Sequence, residues 1–270
     1  MKYEDFAPDL LVTAEGPLRL VELNRPEQLN SMSDLLHSGL AALWDLLADD
    51  EEARAVIVTG RGRAFSAGGN FEVMTRVQRD AGFREQNVLE ARRIVTGMLR
   101  CPVPVIAAVN GPAVGLGTSL ALLSDLVLVS EEAYFADPHL GVGLVPGDGG
   151  ALALPLLVGP QRAKELLFFG SRVNPEDAVR LGLANRVVAP DKLLAEAREL
   201  GNRLAELPVQ AVRDTKRLVN LHMEQAAATV LEPSLLAERQ SMTSAEHIEL
   251  VSQLIARSKK KAASNKDKAK

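Results

Sequence analysis

Two glycine-rich loops, together with a histidine that has an aspartate a few residues on, carry the residue types that could do chemistry in this chain of 270 residues. The first loop runs from Gly60 to Asn70 after the strand-like stretch Ala55 to Thr59, and the second from Asn110 to Thr118 after Val103 to Val109. Glycine admits backbone conformations closed to other residues, and the first N–H groups of a helix have no acceptor inside it. Two such loops can aim two N–H groups at one oxygen, the geometry that stabilises an enolate or a tetrahedral intermediate. A third segment, Ala136 to Gly150, holds His139 and Asp148. An imidazole can pass a proton either way near neutral pH, and a carboxylate can fix its tautomer and stabilise its cation. His139 and Asp148 would then form a proton carrier and its orienter, although nine residues of separation do not by themselves bring them together and a lone histidine beside proline is more often a surface or capped residue.

Other readings of the same residues fall away. Gly115, Gly117 and Leu120 sit where a dinucleotide fingerprint would have three glycines, but the third is leucine and no clear ribose-binding acid follows at the right distance. Neither loop continues into the Gly-Lys-Ser/Thr of a P-loop. Ser119, one turn into the helix that the second loop opens, has no neighbouring His or Lys in sequence and reads as a small packing residue. His37, His222 and His247 lie on helical runs without paired ligand spacing, so they read as ordinary helix residues and no metal site is expected.

The elements that must position these loops alternate along the first two thirds of the chain. Strand-like runs at 10–13, 18–23, 55–59, 103–109, 125–129 and 186–188 are interleaved with helical stretches near 33–48, 84–99, 116–124, 150–157 and 160–168. That order predicts an α/β core over 1–190. Beyond about Pro190 strand signal stops, and amphipathic helical runs follow near 190–206, 208–228 and 231–257. This 191–257 region needs a surface to cover, its own core or a neighbouring subunit, so oligomerisation is expected.

Composition narrows the function classes. The chain is 47% hydrophobic and 24% charged, ordinary values for a globular protein, and no apolar run approaches the roughly 18–20 residues of a membrane span. The N-terminal residues carry acids and no apolar h-region, so no secretory signal is expected. Cys101 is the single cysteine, which excludes an internal disulfide and fits a reducing, cytoplasmic setting. The net charge of -4 conceals a basic tail: residues 257–270 hold 7 Lys/Arg against 1 acid, so 24 basic face 34 acidic residues before it. An acidic body is a poor platform for nucleic acid, and the 258–270 tail reads as solvated and disordered.

Five stretches together resemble the crotonase superfamily, the enoyl-CoA hydratase/isomerase family. They are Leu23-Asn-Arg-Pro-Glu-Gln-Leu-Asn-Ser31, Ala64-Phe-Ser-Ala-Gly-Gly-Asn-Phe71, Pro104-Val-Ile-Ala-Ala-Val-Asn-Gly-Pro-Ala-Val-Gly-Leu-Gly117, Ser124-Asp125 and Leu181-Gly-Leu-Ala-Asn-Arg-Val187. They run in the family order and span roughly residues 8–257. The resemblance implies a spiral of ββα turns with C-terminal helices that join in a homotrimer, often a dimer of trimers. It implies an acyl-CoA thioester as substrate, with CoA carried by the substrate and no permanently bound cofactor. Carried over residue by residue, the oxyanion-hole N–H groups are those of Gly69 and Leu116. Gln28, Ala67, Asn70, Phe71 and Glu72 join them in meeting the CoA thioester, and residues 72–90, with Met74, Val77 and Phe83, form the acyl wall.

Where family hydratases place two glutamates against the substrate, this chain has Ser119 and His139. The resemblance therefore leaves three functions open. One is an acyl-CoA enzyme in which Gly69 and Leu116 stabilise a thioester enolate while His139, oriented by Asp148, moves the proton. A second is a CoA-independent β-diketone hydrolase, because Pro-His139 with Gly-Asp148 resembles the dyad of the superfamily's carbon-carbon hydrolases. That subgroup adds a further acid and a second histidine, which the sequence does not align. The third is a non-catalytic acyl-CoA-binding homologue.

Overall fold

The computed structural model describes the backbone of residues 2–268 and side chains through Lys260. A six-stranded sheet forms its centre. β1 (Leu10–Glu15) and β2 (Leu18–Leu23) make an antiparallel hairpin, and β3 (Ala55–Gly60), β4 (Val105–Val109), β6 (Leu126–Ser130) and β8 (Arg186–Val188) add in parallel, in the order β1-β2-β3-β4-β6-β8. β3 and β4 are buried along their whole length, as their unbroken apolar sequence requires of strands covered on both faces.

A second ladder runs beside the first. β5 (Ala113–Val114) pairs with β7 (Phe135–Ala136), and single bridges extend the row through Ser66–Ala113 on one side and Phe135–Val173 on the other. Successive passes of the chain therefore cross the large sheet, touch the small one and turn into a helix. This is the spiral of ββα units that the family resemblance implies. The short strands of the second ladder are too brief to show as a periodic run in sequence.

Helices close both faces of the sheet. α1 (Asp34–Asp49) and α3 (Ala81–Arg100) pack over the side that presents Val21, Val56, Val58 and Ala107. α8 (Leu193–Ala205) covers Leu20, Ile57, Ile106 and Leu128 on the other, coming so close that a Cβ on Gly201 would stand 3.0 Å from Leu18. The first helix of the expected 191–257 extension thus completes the sheet's own core. α2 (Phe71–Arg79) follows the first glycine loop, and α4 (Leu116–Leu122) follows the second. α5 (Gly150–Val158), α6 (Pro160–Phe169) and α7 (Pro175–Leu181) lie between β7 and β8. The sequence reading had neither α2 nor α7.

The last two helices differ in register from the sequence expectation. α9 (Val209–Ser241) continues through Pro233, where the periodicity suggested separate helices at 208–228 and 231–257, and the break comes instead before α10 (Ala245–Lys268). Pro233 is on the exposed side, so the carbonyl it leaves unpaired can meet water, while buried Leu231 and Leu235 hold the helix down on either side. α10 also runs helically into the 258–270 tail that was expected to be disordered, in keeping with its content of Lys and Ala, both good helix formers. Residues 269 and 270 lie outside the described residues. Among the described residues no helix is long and apolar enough to cross a membrane.

The α1–α3 contact sets the spacing of the wall behind the loops. Gly97 lies against Trp44, and a Cβ there would approach within 2.8 Å of the Trp44 Cβ. Gly97→Val should cost about 1–3 kcal/mol by overpacking. Urea unfolding measures it, and an unchanged midpoint would mean that the two helices part freely.

Candidate active site

The two glycine loops lie side by side because β5 holds both. The Ser66 N–H donates to the Pro112 carbonyl at 3.0 Å, and the Val114 N–H donates to the Ser66 carbonyl at 2.9 Å. Asn30, fully buried, donates to the carbonyls of Arg61 and Ala64 and accepts from the Arg25 N–H, which fixes the base of the first loop. Two positions require glycine. Gly68 has φ +78° and would place a Cβ 2.6 Å from the Val114 carbonyl oxygen; Gly115 has φ +55° at the head of α4. The residues after them, Gly69 and Leu116, turn toward one cavity. Among the described residues neither of their N–H groups donates to a protein acceptor.

The third segment docks on the second loop. The Gly115 N–H donates to the Ala136 carbonyl at 2.9 Å, and the Thr118 hydroxyl bonds that same oxygen. His139 follows on a short 3-10 turn (His139–Val142), with its Cε1 3.4 Å from the position a Cβ on Gly115 would occupy. The carboxylate bonded to its Nδ1 is Asp137, a residue that the sequence reading does not include beside Asp148. Asp137 Oδ1 accepts from His139 Nδ1 at 2.5 Å and from the His139 N–H at 3.3 Å. A short acidic side chain two residues before the histidine reaches back across the turn, whereas Asp148 arrives on the other edge of the ring, its Oδ2 3.4 Å from Nε2. The signal was the Asp-Pro-His sequence.

A third carboxyl group joins from far along the chain. Glu238, near the end of α9, is 6% exposed and faces the same cavity. Ser234 and Ser241 on the same helix bond the Gly147 carbonyl and the Val145 N–H, so α9 clamps the segment that ends in Asp148. No sequence spacing could have found Glu238, because its partners belong to other turns of the spiral.

Electrostatics divides the protons among these groups. Burial disfavours the His139 cation, but the charges of Asp148 and Asp137 outweigh it and hold its pKa well above the ordinary value. Burial likewise opposes the Asp148 carboxylate, yet the adjoining His139 cation brings its pKa down. Glu238 is pushed up to about 8, by burial first and by the Asp148 charge second. At neutral pH the site therefore holds an imidazolium, a carboxylate and a protonated carboxyl.

The cavity encloses about 640 Å³ of atom-free space, mouth included, and its apolar wall has Val73, Met74, Val77, Ala91 and Leu144. Of the residues expected to meet the thioester, Gly69, Asn70 and Leu116 line it. Phe71 and Glu72 line an adjoining groove between α2 and α10 that also carries Arg76, Arg79 and Lys259. Gln28 is bonded to the Arg25 guanidinium, and the Ala67 N–H donates to the Leu29 carbonyl; neither borders the cavity or this groove. Of the acyl-wall expectations, Met74 and Val77 line the cavity, while Phe83 lies under the Arg76 guanidinium. Ser119 is fully buried beneath Gly149 and does not line the cavity, as a packing residue would be. His37, read as an ordinary helix residue, does line it, with Nδ1 2.7 Å from Glu90 Oε2.

A spiral of ββα units whose second ladder sets two glycine loops over one cavity is the crotonase architecture. The sequence pattern of the enoyl-CoA hydratase/isomerase family matches residues 13–261, and the chain belongs to that family. It is 33% identical over 233 residues to a short-chain-enoyl-CoA hydratase of Clostridium acetobutylicum, covering 83% of this chain and 85% of that one. A crotonyl-CoA hydratase of Syntrophomonas wolfei is 34% identical over 229 residues, covering 83% and 84%. The crystal structure of an enoyl-CoA hydratase/isomerase from Mycobacterium paratuberculosis superimposes with a TM-score of 0.89 at 49% identity, covering 91% of this chain and 98% of that one.

The raised pKa of Glu238 has a consequence for stability. Its ordinary value is 4.5, so between there and about 8 the folded chain holds a proton that the unfolded chain has released. That contribution is complete below the unfolded value and is lost as pH rises through the folded one. Between about pH 5 and pH 8, the unfolding free energy should fall by at least ~1 kcal/mol more in the wild type than in Glu238→Gln. Parallel pH dependences in urea titrations would contradict the assignment.

Proposed function

We propose that this chain processes acyl-CoA thioesters by stabilising a thioester enolate. The observation that carries the reading is that the unpaired N–H groups of Gly69 and Leu116 border the same cavity as His139. The thioester oxygen sits between the two N–H groups, which gain strength as charge develops on it. Held as a cation by Asp137 and Asp148, His139 gives its proton to the enolate α-carbon and, in the reverse direction, takes it back. Leucine at 116 does not interfere, because the donor is a backbone amide. Val73, Met74 and Val77 support an apolar acyl group. The charged residues of the α2–α10 groove support contact with the CoA portion, and CoA enters only as part of the substrate.

A second reading has one specific observation in its favour. Carbon-carbon hydrolases of this superfamily were noted above to add an acid and a second histidine to the His/Asp dyad, and Glu238 and His37 stand in this cavity. In that reading the dyad activates water against a β-diketone, and CoA is not needed.

Calorimetric titration with acetoacetyl-CoA, beside CoA alone and a cyclic β-diketone, separates the two. The enolate reading expects micromolar binding of the acyl-CoA and a loss of turnover of about 10²- to 10⁴-fold in His139→Ala. Failure to bind the thioester, with cleavage of the diketone to a keto acid, would overturn it in favour of the hydrolase; binding with no turnover of any thioester would indicate a non-catalytic acyl-CoA binder.

The exposed Phe168, Phe169, Leu218 and Val219 on α6 and α9 support assembly as a homotrimer or a dimer of trimers. Sedimentation should show a trimer or hexamer, with Phe169→Asp or Leu218→Asp lowering the order. A monomeric wild type would refute the assembly.

A further inference from the structure

His139, Asp148 and Glu238 do more than share protons. Each turns one ligating atom into a common space, and the three atoms lie within 4.8 Å of one another. Around Zn²⁺, imidazole nitrogen and carboxylate oxygen sit about 2.0–2.2 Å from the ion, so neighbouring ligands of a tetrahedron stand roughly 3.4 Å apart. His139 Nε2 and Asp148 Oδ2 already have that separation, 3.4 Å.

Two independent features point the same way. Asp148 is 7% exposed, and its second oxygen, Oδ1, has no hydrogen-bond partner. A buried carboxylate oxygen without a donor is costly unless something else meets it. On the far edge of the imidazole, Asp137 accepts from Nδ1 at 2.5 Å, so the nitrogen left for a metal, once the ion replaces its proton, is Nε2 on the side of Asp148. A carboxylate behind a histidine in this way is the arrangement that fixes and strengthens a metal-ligating imidazole.

The geometry points to a divalent transition-metal site made by His139 Nε2, Asp148 and Glu238, with the remaining coordination position open to the cavity. One imidazole and two carboxylates suit Zn²⁺, Co²⁺ or Mn²⁺ better than Ca²⁺ or Mg²⁺, which prefer all-oxygen ligands. Once the ion has displaced the Glu238 proton, two carboxylates balance its charge. An ion there occupies Nε2, so that nitrogen cannot carry a transferable proton, and the ion acts as a reversible inhibitor. Binding itself does not depend on the enolate reading; only the inhibition does. The sequence reading expects no metal because His37, His222 and His247 lack paired ligand spacing; the third ligand here, Glu238, comes from α9, far along the chain from His139 and Asp148.

The test uses the full chain, freed of metal with a chelator and titrated with ZnCl₂ by calorimetry, with Co²⁺ absorption as the spectroscopic counterpart. The expected result is one ion per chain, with micromolar or tighter affinity, and the visible bands of four- or five-coordinate Co²⁺. Binding should be abolished in His139→Ala and in the isosteric Glu238→Gln, and weakened about 10- to 100-fold in Asp137→Asn, which removes the support behind the imidazole. His222→Ala, at an exposed position on α9, should bind as the wild type does. No saturable binding by the wild type would overturn the site. So would binding that survives both Glu238→Gln and His139→Ala, or binding lost only in His222→Ala. Should His139→Ala fail to fold, Glu238→Gln alone decides.

Discussion

One imidazole held among three buried carboxyl groups sets the terms for the rest of this structure. Asp137, Asp148 and Glu238 are each less than a tenth exposed, and His139 lies between the first two. Away from water, charges interact strongly and unpaired ones are costly, so the three carboxyls cannot all ionise beside a neutral ring. The cluster settles by placing a proton on the imidazole and another on Glu238, which leaves the charges of Asp148 and Asp137 beside the cation. The ionisable groups of the site thus come from the segment that bears His139 and from α9, and burial together with their mutual charge decides which of them carries a proton at rest.

That arrangement works only between rigid walls. The second ladder supplies them, because the hydrogen bonds through Ser66, Val114, Gly115 and Ala136 join both glycine loops to the segment that bears His139. Gly68 and Gly115 allow the backbones to approach as closely as they do, since at both positions φ lies where side chains are strained. On the proposed reading of the Gly69 and Leu116 N–H groups as oxyanion donors, stiffness here has a direct chemical meaning, because such donors act by being in place before charge develops.

The C-terminal helices are part of the site. α9 supplies Glu238 and, through Ser234 and Ser241, holds the loop that ends in Asp148. α10 continues the enclosure, with the fully buried His247 donating from Nδ1 to the Val142 carbonyl at 2.6 Å while Gly143 packs against its backbone. α10 also meets α2, the helix that follows the first loop, and so any loosening of the C-terminal helices reaches both the carboxyl cluster and the mouth of the cavity. A sequence division at residue 190 separates what the fold joins, since α8 covers the sheet and α9 completes the site.

The sequence by itself determined what is local or periodic. Unbroken apolar runs specified β3, β4 and β6, and the stretches met in family order pointed to the spiral and to Gly69, Leu116, His139 and Asp148 as candidate site residues. Tertiary structure decided the distant partners. The local Asp137-Pro-His139 turn sets Asp137 against Nδ1, but only the fold brings Asp148 to Nε2. His37 and Glu238 enter the cavity from α1 and α9, which come together only when the sheet is covered, and the same assembly drew the two-residue strands β5 and β7 into a ladder. Alternation and helical period record which face a residue turns to its own element's core. They hold no record of which distant residue waits on the other side, because that is set by how helices pack across the sheet, and burial then fixes how each ionisable group holds its proton.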